Sequence, residues 1–104
     1  MIVEEGKYYL YRHIRLDKNE PFYIGVGTKH GKRKDRTNLY SRAYARNSRN
    51  KIWKDITNKS SFRVELLMES NDYEFILRSE AYFRKLYGRI FNHTGCLSNI
   101  APEG

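Results

Sequence analysis

Two tyrosines and one glutamate stand out in this sequence of 104 residues as side chains that could do chemistry. Tyr11 lies in the aromatic run Tyr8 to Ile14, and Tyr23 lies in a second run, Phe22 to Gly27. Their hydroxyl groups can orient a water molecule or exchange a proton with it. Glu80 supplies a carboxylate further along the chain. The most basic segment follows the second run directly, which indicates chemistry on a polyanion.

The positive charge of the chain is concentrated in one segment. Residues 29–54 contain ten basic residues and one acidic residue, a net charge of +9, whereas the rest of the chain has a net charge of −1. A nearly neutral scaffold with one basic segment is typical of a phosphate-backbone contact. A solvated basic loop remains an alternative. A membrane surface is disfavoured because the segment has no amphipathic pattern with bulky anchors.

The two tyrosines are predicted to lie on neighbouring strands. In Tyr8 to Ile14, alternation places Tyr9, Tyr11 and His13 on one side. Polar turn residues precede the run Phe22 to Val26, so a hairpin is the simplest connection. Gly25 and Gly27 indicate either close approach of another group or a positive φ.

Two short helices are predicted after the basic loop. Thr37 or Asn38 can cap a helix that runs through Arg46, with Arg42 and Arg46 on one face. Asn50 can cap the second helix, which has a core face at helical spacing made of Ile52, Trp53 and Ile56.

A third strand and a long helix complete the predicted domain. The strand is Phe62 to Met68, and the capping box Asn71-x-x-Glu74 opens a helix that continues through Tyr87 and ends at Gly88. Glu80 lies in the middle of the apolar face of this helix. A carboxylate there must be solvated by a cleft, paired with an arginine such as Arg84, or bound to a metal ion, because burying it bare is costly.

Length and composition limit the class of protein. Residues 1–104 form one domain, and the hydrophobic fraction of 39% allows a small core. The single cysteine cannot form an internal disulfide bond, which favours a reducing compartment. No apolar run reaches the length of a membrane span, and no signal peptide pattern is present. We therefore expect a cytoplasmic protein, with host cytoplasm as the location if it is encoded by a phage.

Several motifs together resemble the GIY-YIG nuclease family. Tyr9-Leu10-Tyr11 stands in the place of the Gly-Ile-Tyr motif, and Tyr23-Ile24-Gly25 is the second motif intact. Arg42, the helix glutamate Glu80 and Asn99 follow in the family's order. Over residues 8–101 the chain is similar to the small nuclease domains of phage genomes and homing endonucleases.

The resemblance implies a fold of the α/β class, an α+β sandwich. It consists of a small three-stranded antiparallel sheet flanked by helices, in the order β-β-α-α-β-α. It also implies an endonuclease, a hydrolase that nicks or cleaves the phosphodiester bonds of DNA with one divalent metal ion, Mg²⁺ or Mn²⁺. Mg²⁺ commonly binds one carboxylate together with waters and substrate phosphate, so a single glutamate suffices.

By the same resemblance, five residues receive catalytic roles. Glu80 would bind the metal ion, and Tyr11 would act as general base or orient the attacking water, with Tyr23 beside it at the scissile phosphate. Arg42 would stabilise charge on the phosphate, and Asn99 would hold the site together or bind the backbone. A nearby cation such as Arg42, Arg46 or the metal ion is expected to lower the pKa of Tyr11 and favour the phenolate.

DNA contacts are expected mainly in the basic segment. The residues predicted to bind DNA are Lys29, Lys32, Arg33, Lys34, Arg36, Arg46, Arg49 and Lys51. Specificity would come from this segment, from a homodimer that doubles the contacts, or from a separate DNA-recognition domain or partner.

Two departures from the family pattern leave a second hypothesis open. Tyr9 stands where glycine is usual, and Arg46 stands where many relatives carry a histidine that assists the base. His13 could act as an accessory residue in place of that histidine, although a surface or packing role is favoured. The alternative is a noncatalytic nucleic-acid-binding module that retains the fold. An RNA-directed protein is weaker, because Glu80 would have no purpose there.

Overall fold

The computed structural model describes residues 6–29, 39–90 and 92–99. In these ranges the elements follow the order β1 (Tyr8–Arg15), β2 (Glu20–Thr28), α1 (Ser41–Tyr44), α2 (Lys51–Lys59), β3 (Phe62–Ser70) and α3 (Tyr73–Tyr87). The strands pair antiparallel in the spatial order β2-β1-β3. The predicted small α+β domain with a three-stranded antiparallel sheet is confirmed. Among the described helices, none combines the length and apolar character that crossing a membrane requires.

The β1–β2 hairpin sets the positions of the tyrosines. Tyr11 pairs with Gly25 and His13 pairs with Tyr23. Directly opposed residues project from the same face of an antiparallel sheet, so Tyr11, His13 and Tyr23 share one face. The connecting turn contains Asn19 at φ 50°, a conformation that asparagine tolerates.

The opposite face of the sheet carries α3. Leu10 and Ile24, which alternate with the tyrosines, pack with Leu67, Ile76 and Leu97 in one buried cluster. Because Ile76 belongs to α3, this cluster joins the helix to the sheet. Burial of such side chains contributes about 1.5–3 kcal/mol each relative to exposure.

Helices α1 and α2 cover the tyrosine face. Tyr9 and Tyr11 pack against Ala43 of α1. Phe22 packs against Trp53 and Ile56 of α2 in a second aromatic cluster, and Trp53 is only 2% exposed. The prediction of Trp53 as a core anchor is confirmed. The domain therefore has three layers, with α1 and α2 on one side of the sheet and α3 on the other.

The structure confirms one predicted helix cap and corrects another. Asn50 caps α2, since its side chain accepts a hydrogen bond from the backbone N–H of Trp53 at 2.9 Å. At the start of α3 the cap is Asp72, which accepts from Phe75 N, and the predicted capping box at Asn71 is wrong. Asn71 instead accepts a hydrogen bond from the N–H of Lys7 at 2.9 Å. The side chain of Asn71 is therefore engaged in this tertiary contact and does not cap the helix.

The predicted end of α3 is correct, whereas the predicted end of α1 is wrong. Gly88 ends α3 at φ 69°, as predicted, where a side chain would be strained. Helix α1 ends at Tyr44 rather than at Arg46, because Ala45 is already extended. Arg42 and Arg46 therefore do not share a helix face, which corrects that prediction. The predicted caps Thr37 and Asn38 lie outside the described residues.

Candidate active site

The tyrosine face is built on two glycines of β2. A Cβ atom at Gly25 would overlap the ring of Tyr11, and one at Gly27 would overlap the ring of Tyr9. Neither glycine has a positive φ, so close approach is the reason for them. Across the hairpin the rings of Tyr11 and Tyr23 lie 6.1 Å apart between centroids. The two glycines of β2 therefore leave room for the rings of Tyr11 and Tyr9 on β1, which places the Tyr11 ring close to Tyr23.

The two tyrosines differ in access to solvent. Tyr11 is fully buried, whereas Tyr23 is partly exposed. Burial, together with the neighbouring Tyr23, raises the pKa of Tyr11 to about 12, and the opposing effects of Arg49 and Arg42 are smaller. The neighbouring arginines therefore do not bring the pKa of Tyr11 below its usual value. In the metal-free protein its hydroxyl keeps its proton at neutral pH.

Arg49 holds this face together. It is 6% exposed and donates to the Tyr11 hydroxyl at 3.1 Å, to the carbonyl of Arg42 at 2.7 Å and to the carbonyl of Ala45 at 3.0 Å. Its guanidinium lies 4.9 Å from the centroid of the Tyr23 ring. The prediction of Arg49 as a DNA-binding residue is corrected by its burial, because its donors are used inside the protein.

Arg42 brings a positive charge to the same face. It lies on α1 and is partly exposed. Its charge acts on the phenol of Tyr11 and on the ring of His13, lowering the pKa of each. Its side chain forms no ion pair with any residue in 6–29, 39–90 or 92–99. Arg42 is thus suited to bind an external anion.

Glu80 lies in the other layer. It projects from α3, which packs on the sheet face opposite to Tyr11 and Tyr23, and it is 9% exposed. Its Oε2 accepts a hydrogen bond from Arg84 Nη2 at 3.3 Å. Burial raises the pKa of Glu80, and Arg84 opposes that shift. Of the three possibilities for this carboxylate, the described structure contains the arginine pair.

Asn99 joins the C-terminal segment to the edge of the sheet. Its Oδ1 accepts a hydrogen bond from Ile24 N at 3.1 Å, and its Nδ2 donates to Ile24 O at 2.7 Å. Ser98 N donates to Phe22 O at 2.6 Å beside it. These bonds flank Tyr23 on β2. Asn99 therefore holds the backbone around Tyr23 in place, and its amide is occupied within the protein.

His13 is a core residue. It is fully buried, its Nε2 lies 2.7 Å from the carbonyl of Ala43, and its Nδ1 accepts a hydrogen bond from Trp53 Nε1 at 3.0 Å. Burial and, to a smaller extent, the charges of Arg49, Arg42 and Arg46 lower its pKa to about 3, against the opposing effect of the hydrogen bond to Ala43. The favoured packing role is confirmed. Both ring nitrogens are engaged, so the accessory role in proton transfer finds no free nitrogen in this conformation.

The remaining predicted DNA contacts differ in their surroundings. Arg46 is exposed, with its guanidinium 5.2 Å from the centroid of the Phe62 ring. The side chain of Lys51 is 86% exposed and pairs with Asp55 at 2.9 Å. Lys29 pairs with Glu69 at 2.8 Å. Outside the described residues lie Lys32, Arg33, Lys34 and Arg36.

Glu69 is a buried carboxylate of the tyrosine face that the sequence analysis missed. It pairs with Tyr9 across the sheet and accepts hydrogen bonds from Lys29 and from the hydroxyl of Tyr40. These bonds hold its pKa below the usual range, against the opposing effect of burial. Alternation from Val64 and Leu66 would not place Glu69 on this face, and the register shift between Leu10 and Tyr11 that does so had no signal in the sequence.

The donor set allows only a partial metal site. No group of three or more His, Cys, Asp or Glu side chains that could hold a metal ion occurs in the part of the chain that is described. Glu80 offers the hard oxygen donor that Mg²⁺ or Mn²⁺ prefers, but Arg84 competes for it. The residues fit a single-carboxylate site completed by waters and a substrate phosphate, and do not fit a site made by protein alone.

Comparisons with protein-family models, curated proteins and solved structures gave no match to this chain. The GIY-YIG resemblance therefore stays a prediction that rests on the motifs of the chain itself.

Proposed function

We propose that the protein is a metal-dependent DNA endonuclease of the GIY-YIG type. The observation that carries the proposal is the convergence of Tyr11, Tyr23 and Arg42 on one face of the sheet, where Arg42 has no ion pair among the described residues. They derive from three separate motifs of the sequence. The element order β-β-α-α-β-α supports the same topology. The basic segment begins at the end of β2, beside this face.

In this proposal the exposed members of the site touch the substrate. Arg42 binds the non-bridging oxygens of the scissile phosphate, because a guanidinium offers paired donors to them. Tyr23 orients the attacking water. Tyr11 keeps its proton and fixes the position of Tyr23 and Arg49, so it is a positioning residue. Asn99 keeps β2 in register around Tyr23.

Glu80 is the residue that would hold Mg²⁺ or Mn²⁺, although α3 places it on the side of the sheet opposite to Tyr23 and Arg42 in this structure. When bound, such an ion would stabilise charge on a phosphate and on the leaving oxygen. To hold the ion, Glu80 would have to give up the hydrogen bond from Arg84, which at 3.3 Å is longer than the about 2.7–2.9 Å of ordinary charge-assisted N–H···O bonds.

The decisive experiment is plasmid cleavage with Mg²⁺ or Mn²⁺. We expect nicked or linear product from the wild type and a loss of at least about 100-fold in Glu80→Gln and in Arg42→Ala, as for removal of a transition-state contact. Glu74→Gln is the matched control, because Glu74 is an exposed carboxylate on the same helix. Full activity of folded Glu80→Gln would contradict the proposal.

The pairing of Glu80 with Arg84 also favours a second candidate, a noncatalytic DNA-binding module. In that case the wild type binds DNA without turnover. The logarithm of the binding constant falls with the logarithm of salt concentration, with a slope of about −0.9 per neutralised phosphate. Metal-dependent product that is absent in Glu80→Gln would exclude this candidate.

The cellular setting and partners remain part of the proposal. DNA is the partner, and the cytoplasm is the expected compartment, as for a phage-encoded enzyme in its host. Sedimentation of the protein on duplex DNA would distinguish a monomer from a homodimer that doubles its contacts. Weak, sequence-independent cleavage by the isolated chain would indicate that specificity comes from a separate domain or partner.

A further inference from the structure

An apolar stripe runs along one exposed side of α3. It consists of Phe75, Ser79, Tyr82 and Leu86, which are spaced by four, three and four residues and therefore lie on one side of the helix. Phe75 is 43% exposed, Tyr82 is 63% exposed and Leu86 is 59% exposed. Contiguous apolar surface of this kind marks an interaction site, whereas single exposed apolar residues do not.

An open cleft lies in the middle of the apolar stripe. It has a volume of about 310 Å³ and is lined by Met68 of β3 and by five residues of α3, Phe75, Arg78, Ser79, Tyr82 and Phe83. The hydroxyl of Ser79 donates to the carbonyl of Phe75 at 2.9 Å, so it needs no partner from outside. β3 is an edge of the sheet, with β1 as its single neighbour among the described strands. The cleft thus adjoins a sheet edge, which proteins usually cover.

The apolar stripe is complementary to itself when two copies of α3 run antiparallel. A two-fold axis midway between Ser79 and Tyr82 places Phe75 opposite Leu86 of the partner subunit, and Ser79 opposite Tyr82 of the partner subunit. A small side chain then faces a large one at both central positions, so each Tyr82 ring enters the cleft of the other copy. No charged residue belongs to the stripe, so this packing buries no bare charge.

The charges of α3 favour the same partner and the same orientation. The helix has two acidic and three basic residues, a net charge of +1, which is too small to favour a nucleic acid on this side. Glu74 in its first turn and Lys85 in its last turn are exposed. An antiparallel pair places Glu74 near Lys85 of the partner subunit, whereas a parallel pair would bring like charges together.

We propose that the apolar stripe is the interface of a homodimer in which two copies of α3 pack antiparallel about a two-fold axis. The three exposed apolar side chains contribute on the order of 100 Å² each per copy, well below the about 800 Å² per partner of a standard interface. We therefore expect a weak dimer, with a dissociation constant of about 1–100 µM.

The dimer leaves the candidate active site accessible. α3 packs on the sheet face opposite to Tyr11 and Tyr23, so both tyrosine faces stay open when two copies associate through α3. Association needs neither DNA nor a metal ion. The interface is therefore independent of the proposed function, and the two can fail separately.

Sedimentation equilibrium of the full chain, without DNA or metal, measures the association. The mass should rise from that of one chain, 12.5 kDa, towards twice that value as the concentration increases from about 1 to about 500 µM. Tyr82→Asp should weaken association by at least about 30-fold, because it places a charge in the centre of the interface. Leu16→Asp is the matched control, since Leu16 is 49% exposed in the β1–β2 turn, and it should change association by less than about twofold.

A charge exchange tests the orientation of the helices. Glu74→Lys and Lys85→Glu should each weaken self-association by about threefold or more, because each puts like charges opposite one another in an antiparallel pair. An equimolar mixture of these two variants should associate within about twofold of the wild type, because opposite charges face each other again in the mixed dimer. Circular dichroism verifies that each variant is folded.

A wild type that keeps the mass of one chain up to about 500 µM would overturn the interface, as would equal effects of Tyr82→Asp and Leu16→Asp. Single charge variants that associate as tightly as the wild type would overturn the antiparallel orientation. A monomer that binds vesicles of phosphatidylcholine and phosphatidylglycerol, and loses that binding in Tyr82→Asp, would assign the stripe to a membrane surface and overturn the dimer.

Discussion

Arg49 Nη1 donates a hydrogen bond to the hydroxyl oxygen of Tyr11 at 3.1 Å, inside the protein. The guanidinium has no carboxylate partner among the described residues. Two backbone carbonyls at the end of α1 and the ring of Tyr23 surround it instead. Because a buried cation without these contacts would be costly, Arg49 ties α1, the hairpin and the start of α2 into one unit.

Removal of this cation should destabilise the domain. In Arg49→Met, three acceptors lose their donor, so we expect a loss of about 1–3 kcal/mol in the free energy of unfolding. Arg49→Lys should recover only part of it, because one ammonium cannot reach three divergent acceptors. Denaturant unfolding of each variant measures the change. Lys54→Met, an exposed lysine of α2, should stay within about 0.5 kcal/mol of the wild type, and an equally small effect of Arg49→Met would contradict the role of Arg49.

Tyr11 should stay protonated at alkaline pH. Its pKa is raised to about 12 by burial, so the folded protein keeps this proton after the unfolded chain, with a tyrosine pKa of about 10, has lost it. Stability from this group is therefore complete below pH 10 and falls as pH rises from about 10 to about 12. NMR of protein with labelled tyrosine Cζ atoms measures the titration, with Tyr11→Phe as the assignment control and the urea-unfolded chain as reference. A Tyr11 signal that moves to the phenolate position near neutral pH would restore the general-base role.

Much of the architecture could be predicted because it depends on local chemistry. Alternation of aromatic residues defined the hairpin, Asn50 identified the start of α2, and Gly88 identified the end of α3. Each of these signals acts over a few residues. The tyrosine pair was predictable for the same reason, since the pairing of His13 with Tyr23 follows from a short turn.

The parts that could not be predicted depend on distant contacts. Arg49 and Arg46 look alike in the sequence, yet one is buried and the other exposed, because only Arg49 meets the hydroxyl of Tyr11 and the carbonyls of α1. Asn71 matched a capping box but binds Lys7, more than sixty residues earlier. The i,i+4 spacing on the helix identified Arg84 as one possible partner of Glu80. The sequence did not distinguish this ion pair from binding of a metal ion.

Acid should destabilise the domain through His13. Burial lowers its pKa to about 3, whereas the unfolded chain takes up a proton near pH 6.5. The unfolded state therefore binds more protons between those values, and stability falls as pH decreases from about 6.5 towards 3. The loss at pH 4.5 should be on the order of a few kcal/mol.

Denaturant unfolding at pH 7, 5.5 and 4.5 measures this effect in the wild type and in His13→Gln. The variant should be less stable at pH 7, because it leaves a cavity and alters the hydrogen bond to Trp53, but its stability should depend less on pH. His93→Gln, at an exposed position, provides the control and should retain the wild-type slope. A slope in His13→Gln as steep as that of the wild type would assign acid sensitivity to other groups.

Tyr9 and Gly27 should be energetically coupled. Tyr9 is fully buried, with its ring 4.9 Å from that of Tyr40 between centroids, so it cannot move away from a new methyl group at Gly27. Gly27→Ala should therefore cost about 1–3 kcal/mol, as for overpacking of a core. In a Tyr9→Leu background the same change should cost little, because the shorter side chain leaves room for the methyl group. The coupling energy from the double-mutant cycle should be about 1–3 kcal/mol.

The matched control is Gly27→Ala in a Tyr11→Leu background. The ring of Tyr11 lies over Gly25 and not over Gly27, so the cost of Gly27→Ala should persist there. Equal costs in the Tyr9→Leu and Tyr11→Leu backgrounds would show that strand propensity, and not the tyrosine ring, sets the requirement for glycine. The expected result would also explain why a tyrosine is tolerated at position 9: the space for its ring is provided by the opposing strand.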